Sequence, residues 1–281
     1  MIIFLFAYLQ IGKIIVLYIQ YYNRHYNRRK RNGTAPKRAA GHTEDKMGEH
    51  RYKRILIKLS GEALANGEGH GIDFDNARKV CEKIKICAEN GTQVAIVIGA
   101  GNFWRGRQGN DMDRSVADHM GMLATMINCL AIKDVFEHLG MKAEVLSALS
   151  MPKIAQLFTK EAAIDAMENG KILILGCGTG NPYFTTDTTA VLRGIEVEAD
   201  ICLFAKNVDG VYTADPKKDP NAKKYDRISY GEMLEKDLKV IDAAAAALCR
   251  DNDMPVLIFD LGDGSNIEKA AAGEQIGTVL Y

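Results

Sequence analysis

The chain reads as an α/β protein with an open, mainly parallel sheet, and three observations predict it. Four apolar runs, Ile55 to Leu59, Val94 to Ile98, Ile172 to Leu175 and Ile201 to Ala205, show no polar alternation, as expected of strands covered by helices on both faces. Helical patterns lie between these runs, giving a β-α-β-α order. Each run ends in a glycine-rich or polar turn, and open sheets of this kind bind ligands outside the carboxyl ends of their strands.

The first strand, Arg54 to Leu59, carries Lys58 near its end and runs into Ser60-Gly61-Glu62. A lysine inside a sheet is costly, but at the rim beside a glycine turn it reaches nucleotide phosphates as a point charge. Taken alone it reads better as a solvated strand end. A helix is expected from Phe74 to Asn90, closed by Asn90-Gly91, and another from Val116 to Leu139, closed by Leu139-Gly140. The second strand leads into Gly99-Ala100-Gly101-Asn102, with Arg105 and Arg107 behind it.

The third strand leads into the most informative segment, Gly176 to Asp187, with a helix expected from Thr188 to Val197. A strand, a glycine turn and a helix start form an anion site, because backbone N–H groups approach closely and the helix adds partial positive charge. Thr179, Thr185, Thr186 and Thr188 are expected to offer hydroxyls to the same anion. Asp187 would repel a phosphate unless a metal ion or a lysine stood between them, which points to nucleotide chemistry with a divalent cation. After the fourth strand, residues 213–226 read as a polar loop with two Asp-Pro turns.

Composition bounds the rest. The 281 residues suffice for one large α/β domain or two small ones. Lysine plus arginine equals aspartate plus glutamate at 36 each, so no global charge draws the chain to nucleic acid or a membrane. The six cysteines form no C-x-x-C pair and lie in apolar runs, as buried thiols in a reducing cytoplasm would. The histidines lack zinc-ligand spacing. There is no G-x-x-x-x-G-K-[ST], no dinucleotide fingerprint and no protein-kinase signature, so the chain is a phosphate binder of another design.

Residues 1–49 stand apart as an N-terminal extension. Ile2 to Tyr22 is nearly all apolar and Arg24 to Arg38 is strongly basic, which suits a membrane anchor with a basic flank. Against this, Lys13 lies mid-span, and Ile, Tyr, Asn, Lys and Phe dominate residues 2–30, as in a translated AT-rich upstream region. The favoured expectation is an initiator at Met47, with membrane association only if the extension is real.

Four motifs then carry a specific resemblance: Lys58 to Leu64 (KLSGEAL), Asp118 to Ala124 (DHMGMLA), Gly178 to Asp187 (GTGNPYFTTD) and Val208 to Pro216 (VDGVYTADP). In this order they resemble the bacterial UMP kinases of the amino acid kinase superfamily, over residues 52–280. The resemblance implies a three-layer α/β/α sandwich over residues 50–281, with an acceptor half to about 196 and an ATP half from about 197. It implies transfer of the γ-phosphoryl group of ATP to UMP, with Mg²⁺ carried by nucleotide phosphates and water, not by direct protein ligands.

By the same carry-over, ATP is held by Lys58, Leu59, Ser60, Gly61, Gly101 and Arg105, with Asn207, Tyr212 and Asp215 around its nucleoside. UMP is held by Ala100, Asp118, Thr179, Gly180, Asn181, Pro182, Tyr183, Phe184, Thr185 and Thr186. The implied catalytic set is Lys58, Asp187, Asp242 and Arg105. Two departures are Ala100, where relatives carry glycine, and the Lys206-Asn207 pair, where some carry Thr-Lys. A cytoplasmic homohexamer, allosterically controlled by GTP and UTP, is also implied. The competing readings are an amino acid or carbamate kinase of the same superfamily, and a nucleotide-sensing or storage protein. The match of Thr179 to Thr186 to the nucleotide-acceptor branch disfavours the first, and Lys58, Arg105 and Asp187 together disfavour the second.

Overall fold

Strand β1 (Arg54–Leu59) occupies the middle of a nine-stranded sheet, and the chain builds outward from it in two directions. The computed structural model describes residues 52–104, 112–216, 218–262 and 264–281, so the N-terminal extension, Arg105 and Arg107 lie outside the described residues. Helix α1 (Phe74–Glu89) leads to β2 (Gln93–Ile98), and α2 (Arg114–His138) to β3 (Ala143–Ser147) and the short β4 (Gln156–Leu157). Then come α3 (Lys160–Glu168), β5 (Ile172–Gly176), α4 (Thr186–Glu196) and β6 (Ile201–Lys206).

A hairpin of β7 (Val211–Tyr212) and β8 (Lys224–Tyr225) follows, forming a separate two-stranded sheet. The chain closes with β9 (Arg227–Ile228), α5 (Tyr230–Glu235), α6 (Ala243–Asp251), β10 (Val256–Asp260), α7 (Ser265–Ala272) and β11 (Thr278–Leu280).

The main sheet runs β4-β3-β5-β2-β1-β6-β10-β11-β9, and every pairing is parallel except β10 with β11. Strands before residue 177 lie on one side of β1 and strands after residue 200 on the other. The reversal at β1 opens a crevice at the carboxyl ends of β1, β2, β5 and β6, where the glycine turns meet.

Alternation along the strands fills two core layers. Ile55, Ile57 and Leu59 enter the layer packed by α1, α2 and α7, while Leu56, Cys202 and Phe204 enter the layer packed by α3, α4 and α6. The four apolar runs are all strands, as the sequence predicts, and the helix ends at Asn90 and Leu139 fall as expected. All six cysteines are buried free thiols, and burial pushes those of Cys81, Cys87 and Cys249 up to about 12.

Two local expectations need correction. Helix α4 begins at Thr186, not Thr188, because the Thr185 hydroxyl caps it by accepting from the N–H groups of Asp187 and Thr188. The expected polar loop at 213–226 contains β8, which pairs back onto β7.

Candidate active site

Three strand-end turns converge on a cavity of 310 Å³. The first follows β1, where Ser60 caps a single 3₁₀ turn over Gly61–Leu64 by accepting from the Glu62 N–H. The second follows β2, and the two are packed back to back: a Cβ on Gly61 would lie 2.6 Å from the Gly99 carbonyl oxygen and 2.8 Å from the Gly101 nitrogen. Only glycine permits that approach. The third is the segment after β5, where Cys177, Gly178, Gly180 and Tyr183 all have positive φ. At Gly180 a side chain would also meet the Ala148 carbonyl at 3.1 Å.

One helix holds these turns in place. The fully buried Asn128 of α2 donates to the Gly99 carbonyl at 2.8 Å and exchanges hydrogen bonds with Asn102, which is also buried. A turn further back, the Thr125 hydroxyl accepts from the Cys177 N–H at 2.9 Å. Near the start of α2, Asp118 accepts from the Tyr183 N–H at 2.7 Å and pairs with Arg114 at 2.8 Å. Trp104 donates from Nε1 to the Ala117 carbonyl and lines the cavity, so it both packs and shields. Buried, fully paired polar groups of this kind fix a loop more firmly than apolar contact alone.

Lys58 projects from the end of β1 toward Asp187 in the first turn of α4, at 3.0 Å from Oδ1. The other carboxylate oxygen takes Lys206, from the end of β6, also at 3.0 Å. Burial alone would raise the Asp187 pKa, but the two ammonium groups outweigh it and hold the carboxyl below its ordinary value. Asp187 is therefore not a member of the phosphate turn. It sits one residue into the helix, where a carboxylate suits the positive end of the dipole and orients a lysine toward the cavity. Lys206 is a site residue that the sequence reading treated only as a departure, although it ends a buried strand just as Lys58 does.

The expected anion cluster is only partly formed. The Thr185 and Thr188 hydroxyls donate to Asp242, and Thr179 donates to the Asn181 carbonyl. Thr185 and Thr188 thus share the Asp242 carboxylate, while Thr179 closes its own turn. Thr179, Thr185 and Thr186 line the cavity, Thr186 opposite Gly99, and Thr188 is buried. Asp242 caps α6 by accepting from the Ala245 N–H, so it ties the starts of α4 and α6 together. His119 is exposed on the outer face of α2.

Of the remaining expected residues, Ser60, Ala100, Gly101, Asp118, Asn181 and Phe184 line the cavity beside Lys58. Leu59 is buried in the core, and its carbonyl accepts from the Gly99 N–H. Pro182 does not line the cavity, and Tyr183 is exposed at its rim under the Arg114 guanidinium. Asn207, Tyr212 and Asp215 belong to the segment at and before the β7–β8 hairpin, with the Tyr212 hydroxyl donating to Asp209. Arg114, Thr125 and Asn128 were missed. Thr125 and Asn128 are polar residues on the buried inner face of a long apolar helix and Arg114 is exposed at its first residue, so their place at the site becomes legible only once the helix is docked.

Among the described residues no group of three potential metal ligands is gathered. Both oxygens of Asp187 are taken by lysines and both of Asp242 by hydroxyls or N–H groups.

The sequence model of the amino acid kinase family matches residues 53–260. Among solved structures, the chain is similar to the UMP kinase from Bacillus anthracis, at 35% identity and a TM-score of 0.79, covering 82% of this chain and 96% of that one. It is similar to the UMP kinase from Ureaplasma parvum at 39% identity and 0.78, covering 82% and 99%. The uridylate kinase from Archaeoglobus fulgidus matches at 28% identity and 0.64, covering 81% and 99%.

Proposed function

We propose that this chain, which belongs to the amino acid kinase family, is a UMP kinase that transfers the γ-phosphoryl group of ATP to UMP. The observation that carries the reading is the convergence of three strand-end turns on one cavity beside a lysine clamped by Asp187. The phosphate of UMP is already an anionic nucleophile at neutral pH, so no base has to remove a proton. The protein must align two nucleotides and neutralise charge, where phosphoryl-transfer catalysis largely resides.

In this reading the half up to about residue 196 holds the acceptor. Thr179 to Thr186, Ala100 and Asp118 surround UMP. The half from about 197 serves ATP, with Asn207, Tyr212 and Asp215 at its nucleoside. Lys58, Ser60, Gly61, Gly101 and Arg105 serve its phosphates. Asp187 orients Lys58, and Asp242 steadies Thr185 and Thr188 at the start of α4. Mg²⁺ would enter with the nucleotide phosphates beside Lys58 and Asp187 and would supply charge neutralisation there.

We read the enzyme as a cytoplasmic homohexamer under GTP and UTP control. Self-association is supported by the outer face of α2, where Val116, Met120, Leu123, Ile127 and Leu130 are exposed at three- and four-residue spacing. Purified protein incubated with Mg-ATP and UMP, CMP, AMP or N-acetylglutamate tests the function. UDP formation is expected, and turnover only with the acid acceptor would refute the reading.

A further inference from the structure

Two lysines, not one, meet at Asp187, and strand alternation explains why. Along β1, Leu56 and Lys58 point to the layer of α4; along β6, Cys202, Phe204 and Lys206 point to the same layer. The register pairs Lys58 with Phe204, so the two ammonium groups stand 5.9 and 5.8 Å from one ring centroid. Asp187 accepts one lysine on each oxygen, and Lys206 donates also to the Val240 carbonyl.

The two lysines open onto different spaces. Lys58 lines the 310 Å³ cavity with the glycine turns. Lys206 and Asp187 line a second cavity of 520 Å³, bounded by the segment from Met233 to Ala243. Asp187 thus stands at the boundary, with both substrate-sized spaces served by a cation it holds.

The charge count within this triad is unbalanced: two ammonium groups share one carboxylate, with side chains only 12–19% exposed. Asp242 lines the second cavity too; hydrogen-bonded to Thr185, Thr188 and the Ala245 N–H, its carboxylate favours the charged form of Lys206 from a distance. Burial, and after it the Lys58 ammonium, works against the charge on Lys206 and lowers its pKa, despite Asp187 and Asp242. A partly desolvated ammonium group at a cavity wall, with only one carboxylate in direct contact, gains from contact with an anionic ligand.

We propose that Lys206 is a second phosphate-binding lysine, which meets the donor's phosphates from the second cavity while Lys58 faces the first. The transferred group then passes between two ammonium groups spaced by one carboxylate. The inference rests on the kinase reading above and adds a residue that the reading does not need.

Lys206→Gln and Lys206→Arg test it. Glutamine keeps a donor for Asp187 and Val240 but removes the charge; arginine keeps the charge. The expected result for Lys206→Gln is a dissociation constant for Mg-ATP raised about tenfold or more and a kcat lowered about 100-fold. UMP affinity by calorimetry should stay within about threefold, and Lys206→Arg should recover at least about tenfold of the lost kcat. A thermal melt verifies folding, and Lys206→Met replaces the glutamine variant if the latter does not fold.

ATP affinity and kcat both within about threefold of wild type would overturn the proposal. So would equal weakening of ATP and UMP with a lowered melting temperature, which would make Lys206 a structural tie between β6 and Val240. Calorimetry with ATP needs no turnover. A wild-type chain that binds ATP but phosphorylates no UMP would therefore refute the kinase reading, while the ATP affinity ratio still decides Lys206.

Discussion

Replacing Asp187 by asparagine tests the centre of the site, because it keeps the shape of the side chain and removes only its charge. The carboxylate holds Lys58 and Lys206 at 3.0 Å each. At that distance and an effective dielectric of about 20, each pair has a gross attraction of about 5 kcal/mol. Desolvation cancels much of this, but leaving a buried cation without its partner costs about 3–5 kcal/mol. Because all three side chains keep some exposure, the lower end, about 3 kcal/mol, is expected. For a domain of this size that lowers Tm by about 6–12 °C.

Activity should fall further than stability suggests, since two misdirected ammonium groups no longer meet the transferring phosphoryl; a loss of about 100-fold in kcat is expected. Triphosphate should then raise Tm more in the variant than in wild type, because its anionic oxygens replace the missing charge. Differential scanning fluorimetry with and without Mg-ATP, beside steady-state kinetics, measures all three effects. A Tm change under about 2 °C together with kcat within threefold would refute the argument.

Gly61→Ala should lower stability by about 1–3 kcal/mol and raise KM for ATP, since its methyl group meets the Gly99 carbonyl and Gly101 nitrogen; urea melts and kinetics report both. Asn128→Ala should cost about 2–4 kcal/mol, read as a lower urea midpoint, because it strips the Gly99 carbonyl of its donor and breaks the exchange with Asn102. The Asp187 carboxyl has a folded pKa below its ordinary 3.8, so its stabilisation is present above that pH and is lost as pH falls through the depressed value. The Tm gap between wild type and Asp187→Asn should therefore narrow in melts taken at successively lower pH below 3.8. Aspartate at both Leu123 and Ile127 should shift sedimentation toward smaller species, whereas an unchanged profile would remove α2 from the assembly interface.

Much of the architecture was legible because buried parallel strands write a continuous apolar signature. The four runs ending at Leu59, Ile98, Leu175 and Ala205 are strands, and the turns after three of them line one cavity. The β3 and β10 strands escaped notice: β3 carries Glu144 among its apolar residues, and β10 opens directly after Pro255. The fate of individual hydroxyls was not legible either. Thr185 and Thr188 looked like phosphate donors, yet Asp242, more than fifty residues later, claims both.

The same division holds for Gly176 to Asp187. By itself the sequence determined that this stretch is a glycine turn entering a helix, because local backbone preference and capping decide that within a few residues. It also determined that Asp187 needed a cation beside it, since a carboxylate next to a phosphate is unfavourable whatever the fold. Only the tertiary structure decided which cations. The register of β1 against β6 sets Lys58 beside Phe204 and Lys206 two residues further on the same face, and both reach one carboxylate on α4. Strand register and helix placement arise from packing across the whole sheet, and no local pattern encodes a pairing between residues 148 positions apart.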